Sequence, residues 1–480
     1  MHKNKRIQYK IEVFVSASPL QSRSLDQNKT ELASDAEIKR SFWRYAIPSI
    51  AAMLVSGLYQ IIDGIFVGHY VGVEGLAAIN MAWPITFVVS GLGIMIGMGG
   101  GTLISMNRGE QDQTSAQKAL NASFFLMVVL AIISAAGLFL WGADLLRAQG
   151  GEGVIFTLGF GYVNIFAYGT IATIMAAAIP MLVRNDESPN VATALMIFGA
   201  LLNIVLDYVF IGLWQWQLEG AALATIIAQF LVAIIGIIYF ISKHSSLKLD
   251  SSLIKVNPRM MSMIISLGAS SLVMYLYTSF VFALHNRLFM QYGTPVTVGA
   301  FAIVGYIMTL YYLVAEGIAE GMQPPVSYYF GAQQFENIKK MLLMSIKVTV
   351  IAGIGFIVIL NVMPNLMISL FTSESAELIA EAKNGIHLHL FAMFLDGIIV
   401  LASVYFMAIG KGGKALAISV GNMLIQLPFL YFLPQWLGVD GIWLALPLSN
   451  IVLFVIVAPL VWHDIKQREQ EPEVTLCQQS

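Results

Sequence analysis

Cysteine is almost missing from this chain. Only Cys477, close to the C-terminus, is present, so no disulfide can form within it. Charge is scarce as well: Asp, Glu, Lys and Arg make up 11% of residues, where a soluble domain carries roughly a quarter. The net charge of −2 says little by itself, and no nucleic-acid partner is expected. There is no P-loop, no HExxH and no GxSxG on a strand-to-helix turn, and no loop long enough to hold a nucleotide domain. Those absences argue against an enzyme and against a nucleotide-driven pump, and no cofactor is implied. What is abundant is apolar surface. Hydrophobic residues make up 58% of 480 positions, and the mean hydropathy is +0.76. A single soluble core stops growing near ~250–300 residues, so this surface must face lipid.

A spanning helix needs ~20 mostly apolar residues. Twelve such segments are predicted at 44–67, 76–103, 119–141, 154–182, 191–213, 218–241, 260–290, 297–322, 341–363, 385–409, 415–435 and 439–462. Polar or Gly/Pro breaks separate them, such as HYVGVEG, NRGEQDQTS, RNDESPN and TSESAELIAEAKN. Lipid offers no hydrogen bonds, so spanning segments are helices or a closed barrel, and runs this long exclude the alternation of a barrel. Twelve spans put both termini on one side. Of the 26 lysines and arginines, only Arg147, Arg287 and Lys383 then fall on the far side. The positive-inside rule places both termini in the cytoplasm.

The two halves resemble each other at an offset near 222 residues. GGTLISMNRGEQD (100–112) lies over MQPPVSYYFGAQQ (322–334), LEGAALAT (218–225) over VDGIWLAL (439–446), and LAAIN (76–80) over VGAFA (298–302). A six-helix unit is even, so both copies enter the membrane in the same sense. Their relating axis is then a pseudo-two-fold along the membrane normal. The expected fold is an all-α membrane protein of about twelve helices in two six-helix lobes. Residues 1–41 read as a largely disordered cytosolic arm, 42–241 as an N-lobe, 242–259 as a cytosolic linker, 260–462 as a C-lobe and 463–480 as a cytosolic tail. A monomer is expected.

Ionisable groups at membrane depth are functional candidates by default. Asp63 lies about 22 Å along its helix from Pro48, at 1.5 Å per residue. Asp207 is at a similar depth on the fifth span, with Asn203 one turn away on the same face, as Tyr59 is to Asp63. Thr225, on the sixth span, reaches the same level. Two close carboxylates in low dielectric need a cation or a proton between them. An oxygen-only set suits either a proton or a hard cation such as Na⁺. Pro48 is a candidate hinge, because proline removes a helix hydrogen bond. In the second half, Asp396 and Glu316 are candidate contacts for substrate or proton. Glu320 is expected to be solvated near the end of its helix, and His285 and Arg287 to snorkel to the interface. At the repeat offset Phe429 and Ile425 stand opposite Asp207 and Asn203, so the lobes are expected to differ chemically.

Several of these segments together resemble the multidrug and toxic compound extrusion family over roughly residues 42–462. The features are Pro48 with LYQIIDGIFVGHYVG (58–72), LISMNRGEQD (103–112), LNIVLDYVFI (202–211), LEGAALAT and GMQPPVSYYFGA (321–332). The last is similar to the DinF-like and MepA-like bacterial branches. The resemblance implies export of cationic or amphipathic drugs in exchange for Na⁺ or H⁺. It implies an N-lobe cation site at Asp63, Asn203, Asp207 and Thr225, with Pro48 on the same first helix. Asp396 resembles the helix 10 aspartate of the NorM-like branch. The alternative is a lipid-linked precursor flippase of the same superfamily. The mostly acidic intramembrane charge favours a cationic cargo over its pyrophosphate. A major-facilitator carrier is disfavoured by the loop NRGEQDQTS, which lacks that group's basic motif.

Overall fold

The computed structural model describes residues 34–249, 257–369 and 376–470. Among them every regular element is helical. The α-helices are α1 (Asp35–Tyr70), α2 (Val73–Gly109), α3 (Gln113–Ala148), α4 (Gly153–Tyr168), α5 (Thr170–Asn185), α6 (Pro189–Asp207), α7 (Gln217–Ile241), α8 (Pro258–Tyr292), α9 (Pro295–Gly331), α10 (Phe335–Val362), α11 (Pro364–Ser369), α12 (Ala376–His389), α13 (Met393–Ala408), α14 (Gly412–Leu437) and α15 (Val439–Gln470). Ten helices are long and apolar enough to cross a membrane. The bent pairs α4/α5 and α12/α13, turned by 64° and 49°, bring the total to twelve. A π-helical turn, Tyr208–Leu213, continues α6.

The helices outrun the apolar segments that predict them. α1 has 36 residues, about 54 Å at 1.5 Å per residue, against a hydrocarbon core of ~30 Å. Its start is fixed by a capping box: Ser34 Oγ accepts from Glu37 N, and Glu37 Oε2 accepts from Ser34 N at 2.9 Å. The arm expected over 1–41 therefore yields to helix from Asp35, and residues 1–33 lie outside the described residues. So do Cys477 and residues 250–256 of the expected linker. Gly72, at φ +87°, lets α1 reverse into α2 within two residues. Asp112 caps α3 by accepting from Ser115 N at 2.9 Å, which holds its carboxyl below the usual carboxylate range.

Two expectations need correction. The fourth span is a pair of helices broken at Gly169, not one continuous segment. The stretch AELIAEAKN, assigned to a loop, is helical in α12, so the tenth span begins earlier and breaks before Met393.

The repeat is written into the packing between the halves. A Cβ at Gly109 of α2 would lie 2.1 Å from Tyr328 O of α9. A Cβ at Gly331 of α9 would lie 1.9 Å from Met106 O of α2. Gly109 and Gly331 are 222 residues apart, as are Met106 and Tyr328. The same holds one layer deeper. Gly99 packs on Ile264 and Gly268 of α8, while Gly321 packs on Ala46 of α1. Each glycine exists where two backbones meet too closely for any side chain. Two lobes of six spans each, α1–α7 and α8–α15, thus meet along α2 with α8 and α9 with α1. Away from this seam, Ile132, Leu140 and Trp141 of α3 and Ile351, Val358 and Val362 of α10 are exposed, a surface suited to lipid.

Candidate functional site: a buried carboxylate pair

Asp63 of α1 and Asp207 at the end of α6 are both buried, and their carboxyl groups interact directly with one another. The i, i+4 spacing on α6 puts Asn203 beside them, and Asn203 Nδ2 donates to Thr225 Oγ1 of α7 at 3.3 Å. Asp63 Oδ1, both oxygens of Asp207 and Asn203 Oδ1 receive no hydrogen from any described residue. All four atoms are acceptors. Buried acceptors without a donor are costly, and two facing carboxylates repel unless a proton or cation lies between them. The set can hold either. Its oxygens are the donors a hard monovalent cation takes, and a single proton shared by the two aspartates relieves the same repulsion.

The tyrosine expected beside the pair is there. Tyr59, one turn before Asp63, lies within electrostatic reach of both carboxylates. Tyr162 of α4, buried, joins it and interacts with Asp63, Asp207 and Tyr59. Sequence reasoning missed Tyr162, since one tyrosine in GFGYVNIF carries no periodic or charge signal. Pro48 lies about four turns before Asp63 on α1, and its carbonyl accepts from Thr193 Oγ1 of α6 at 2.8 Å. The helix that carries Asp63 is therefore tied to the helix that carries Asp207 at a second level.

The end of the molecule that holds the start of α1 is closed by polar contacts between the lobes. Arg184 of α5 pairs with Glu320 of α9 at 2.7 Å, with both side chains buried. Asn185 and Gln323 bond reciprocally, Asn185 Nδ2 to Gln323 Oε1 at 3.0 Å and Gln323 Nε2 to Asn185 Oδ1 at 3.1 Å. Gln323 Nε2 also reaches Thr102 Oγ1 of α2 at 3.2 Å, and Ser105 Oγ donates to Asn185 Oδ1 at 2.7 Å. Glu320 is thus not solvated as expected; the partner lobe covers it. Glu316 sits one turn away on α9, half-buried, and interacts with Glu320 and with Tyr275 of α8. It does not join the Asp63 cluster.

Asp396 is buried in the C-lobe, apart from the N-lobe pair, where it interacts with Asn422 of α14. Gln426, one turn on, is buried beside Tyr277 of α8. Asn422 and Gln426 repeat the i, i+4 pattern of Asn203 and Asp207, displaced by three residues from the 222 offset. That displacement hid them behind Phe429 and Ile425. His285 is another correction: it is fully buried against Phe301 rather than at the interface, while Arg287 is exposed.

The MatE family model matches the chain twice, over residues 48–209 and 270–432, and the two starts are 222 residues apart. Multidrug export protein MepA of Staphylococcus aureus is 24% identical over 408 residues, covering 84% of this chain and 89% of that protein. A solved structure described as the outward-facing conformation of a multidrug resistance MATE family transporter of the MOP superfamily superposes with a TM-score of 0.85. It is 22% identical and covers 92% of this chain and 100% of that one. A MATE crystal structure in a bent conformation gives 0.84 at 20% identity, over 92% and 99%.

Proposed function

The chain belongs to the MatE family of multidrug efflux transporters, and from that premise we propose that it is a secondary active antiporter. It exports cationic or amphipathic organic compounds in exchange for H⁺ or Na⁺. The observation that carries this reading is the Asp63–Asp207 pair, two facing buried carboxylates whose unpartnered atoms are all acceptors. Such a pair changes its charge, and so its packing, whenever a proton or cation enters or leaves.

The coupling ion binds at Asp63, Asp207, Asn203 and Thr225, with Tyr59 at the rim. Its arrival removes the repulsion between α1 and α6 and lets α1 bend at Pro48, which promotes drug release outward. Loss of the ion toward the cytoplasm resets the carrier. Neighbours solved in a bent and in a straight conformation support a carrier able to take two shapes. Both termini lie in the cytoplasm of a bacterial inner membrane. The lobe seam at Arg184, Glu320, Asn185 and Gln323 is then the cytoplasmic gate, closed here, with drug leaving from the opposite end. The chain works as a monomer, since each half of the exchange lies within one pair of lobes.

The test is efflux of a fluorescent cationic dye from proteoliposomes under a Na⁺ gradient or a pH gradient imposed separately. Drive by pH alone makes the pair a proton switch, and drive by Na⁺ alone makes it a metal site. No response to either gradient overturns antiport and favours a lipid-precursor flippase.

A further inference from the structure

The end of α5 reads Arg184, Asn185, and then Asp186 as the helix closes. The first two reach across to Glu320 and Gln323 of the other lobe. Asp186 turns to its own side, where the chain leaving α7 folds back over it. Its carboxyl group is buried. Oδ2 accepts from Ser245 Oγ at 2.8 Å, from Ser246 N at 3.1 Å and from the Tyr239 hydroxyl of α7 at 2.8 Å. Oδ1 accepts from Ser246 Oγ. Arg108 of α2 lies 3.5 Å from Oδ1, and its other terminal nitrogen is taken by Glu187 at 2.8 Å. Farther along, Gln117 of α3 grips the backbone of Lys248 on both sides. Gln117 Oε1 accepts from Lys248 N at 2.9 Å, and Nε2 donates to Lys248 O. Leu249 N donates to Phe240 O at 3.2 Å, and Leu247 is buried. Residues 242–249, the first part of the segment that joins the lobes, are thus fastened to the N-lobe.

The C-lobe shows what is particular about this arrangement. There the tenth and twelfth spans are also tied by a tyrosine and an aspartate, with the Tyr405 hydroxyl of α13 donating to Asp464 of α15 at 3.0 Å. In the N-lobe the aspartate is on the fourth span and the tyrosine on the sixth, so the two residue types have changed places. Asp464 meets cations of its own lobe, Lys411 and, at 2.9 Å, Arg468. Asp186 depends instead on donors from a connecting segment, and a buried carboxylate stripped of its donors is costly. The position of the end of α5 that satisfies Asp186 is also the one that holds Arg184 and Asn185 against the C-lobe.

We propose that residues 242–249 are a strap on the gate. Docked on Asp186 and Gln117, the strap holds the end of α5 where it closes the lobe seam, and it leaves Asp186 when the seam opens. The inference rests on the reading of that seam as the cytoplasmic gate. It does not depend on which ion the Asp63–Asp207 pair takes. A coupling of this kind is reciprocal: freeing the strap loosens the seam, and opening the seam frees the strap.

The experiment uses the purified full chain with Cys477 replaced and Ser327→Cys as the single thiol, since Ser327 is buried in the seam beside Gln323. Tryptic cleavage after Lys248, followed by mass spectrometry, reads the strap. Maleimide labelling of the thiol reads the seam. Ser245→Ala with Ser246→Ala removes two hydroxyl donors from Asp186. Both rates should then rise about tenfold or more, because a hydrogen bond to a charged group is worth at least that factor. Gln117→Ala leaves the contacts of Asp186 in place and should raise both rates in the same direction. Glu320→Gln alters the seam alone, and it should raise cleavage after Lys248 along with labelling. A segment that merely covers a helix end would not respond to it. Circular dichroism checks that each variant is folded. If Lys248 becomes cleavable in the serine and Gln117 variants while the thiol reacts only in Glu320→Gln, the strap is overturned and the gate stands. Unchanged protection of Lys248 in Glu320→Gln, once its thiol reacts, also overturns the strap, as does unchanged protection in both the serine and Gln117 variants. A thiol shielded in every variant removes the gate reading and the strap with it.

Discussion

Asp207 receives no hydrogen bond from any described residue, although both its oxygens are buried. A residue kept for stability would have been given a donor, since an unmet buried acceptor costs about 1–3 kcal/mol. Asp63→Asn supplies an amide hydrogen and removes one charge, so the variant should fold at least as well as wild type. Its gradient-driven efflux should nevertheless fall by about tenfold or more, equivalent to about 1.4 kcal/mol in the limiting step. The double variant Asp63→Asn with Asp207→Asn should be no slower than either single one, because the two act as a unit. The sequence made these residues legible through depth and spacing alone. It did not reveal Tyr162, nor that Glu320 and His285 are buried, because their surroundings are set by helices far along the chain. A glutamate near a helix end reads as solvated until the partner lobe is seen to cover it.

At the scale of helices, α1 is the element on which the account turns. It carries Pro48 and Asp63, and it meets the C-lobe where Gly317 and Gly321 of α9 lie against Ile50 and Ala46. Those contacts bracket Pro48, so a bend there is felt by the other lobe. Pro48→Ala should raise thermal stability, since proline inside a helix costs about 3 kcal/mol, and should slow drug export. Equal or faster export by a more stable variant would contradict the hinge. Gly331→Ala tests the α2–α9 crossing: its Cβ would meet Met106 O at 1.9 Å, and overpacking of this kind costs about 1–3 kcal/mol. A thermal-shift assay should show the loss, and Gly109→Ala should match it across the pseudo-two-fold. The existence of these helices was legible in apolar runs, but the breaks at Gly169 and before Met393 were not. Apolar composition continues through both bends, and only the backbone records the turn.

At the scale of the molecule, two lobes are joined by a polar seam, which the proposed function makes the closed end of a carrier. Arg184 and Glu320 are both buried, and removing one partner of such a pair costs about 3–5 kcal/mol. Glu320→Gln should therefore weaken the seam and open that end of the molecule. The scarcity of cysteine makes this measurable: with Cys477 replaced, Ser327→Cys is the single thiol. Ser327 is buried beside Gln323. Its thiol should resist a membrane-impermeant maleimide in the otherwise native chain and react in the Glu320→Gln background. Equal protection in both would mean that the ion pair does not hold the lobes together. The two-lobe plan was legible because the repeat leaves glycines in register; the seam's polar partners were not, since no local pattern pairs Arg184 with Glu320 across 136 residues.

The most direct test of the central claim compares wild type, Asp63→Asn and Asp207→Asn in proteoliposomes under whichever gradient drives the wild type. The account predicts that wild type moves a cationic dye against its concentration gradient, while both variants, folded and reconstituted to the same level, only let it equilibrate. Uphill transport by either variant at the wild-type rate would contradict it.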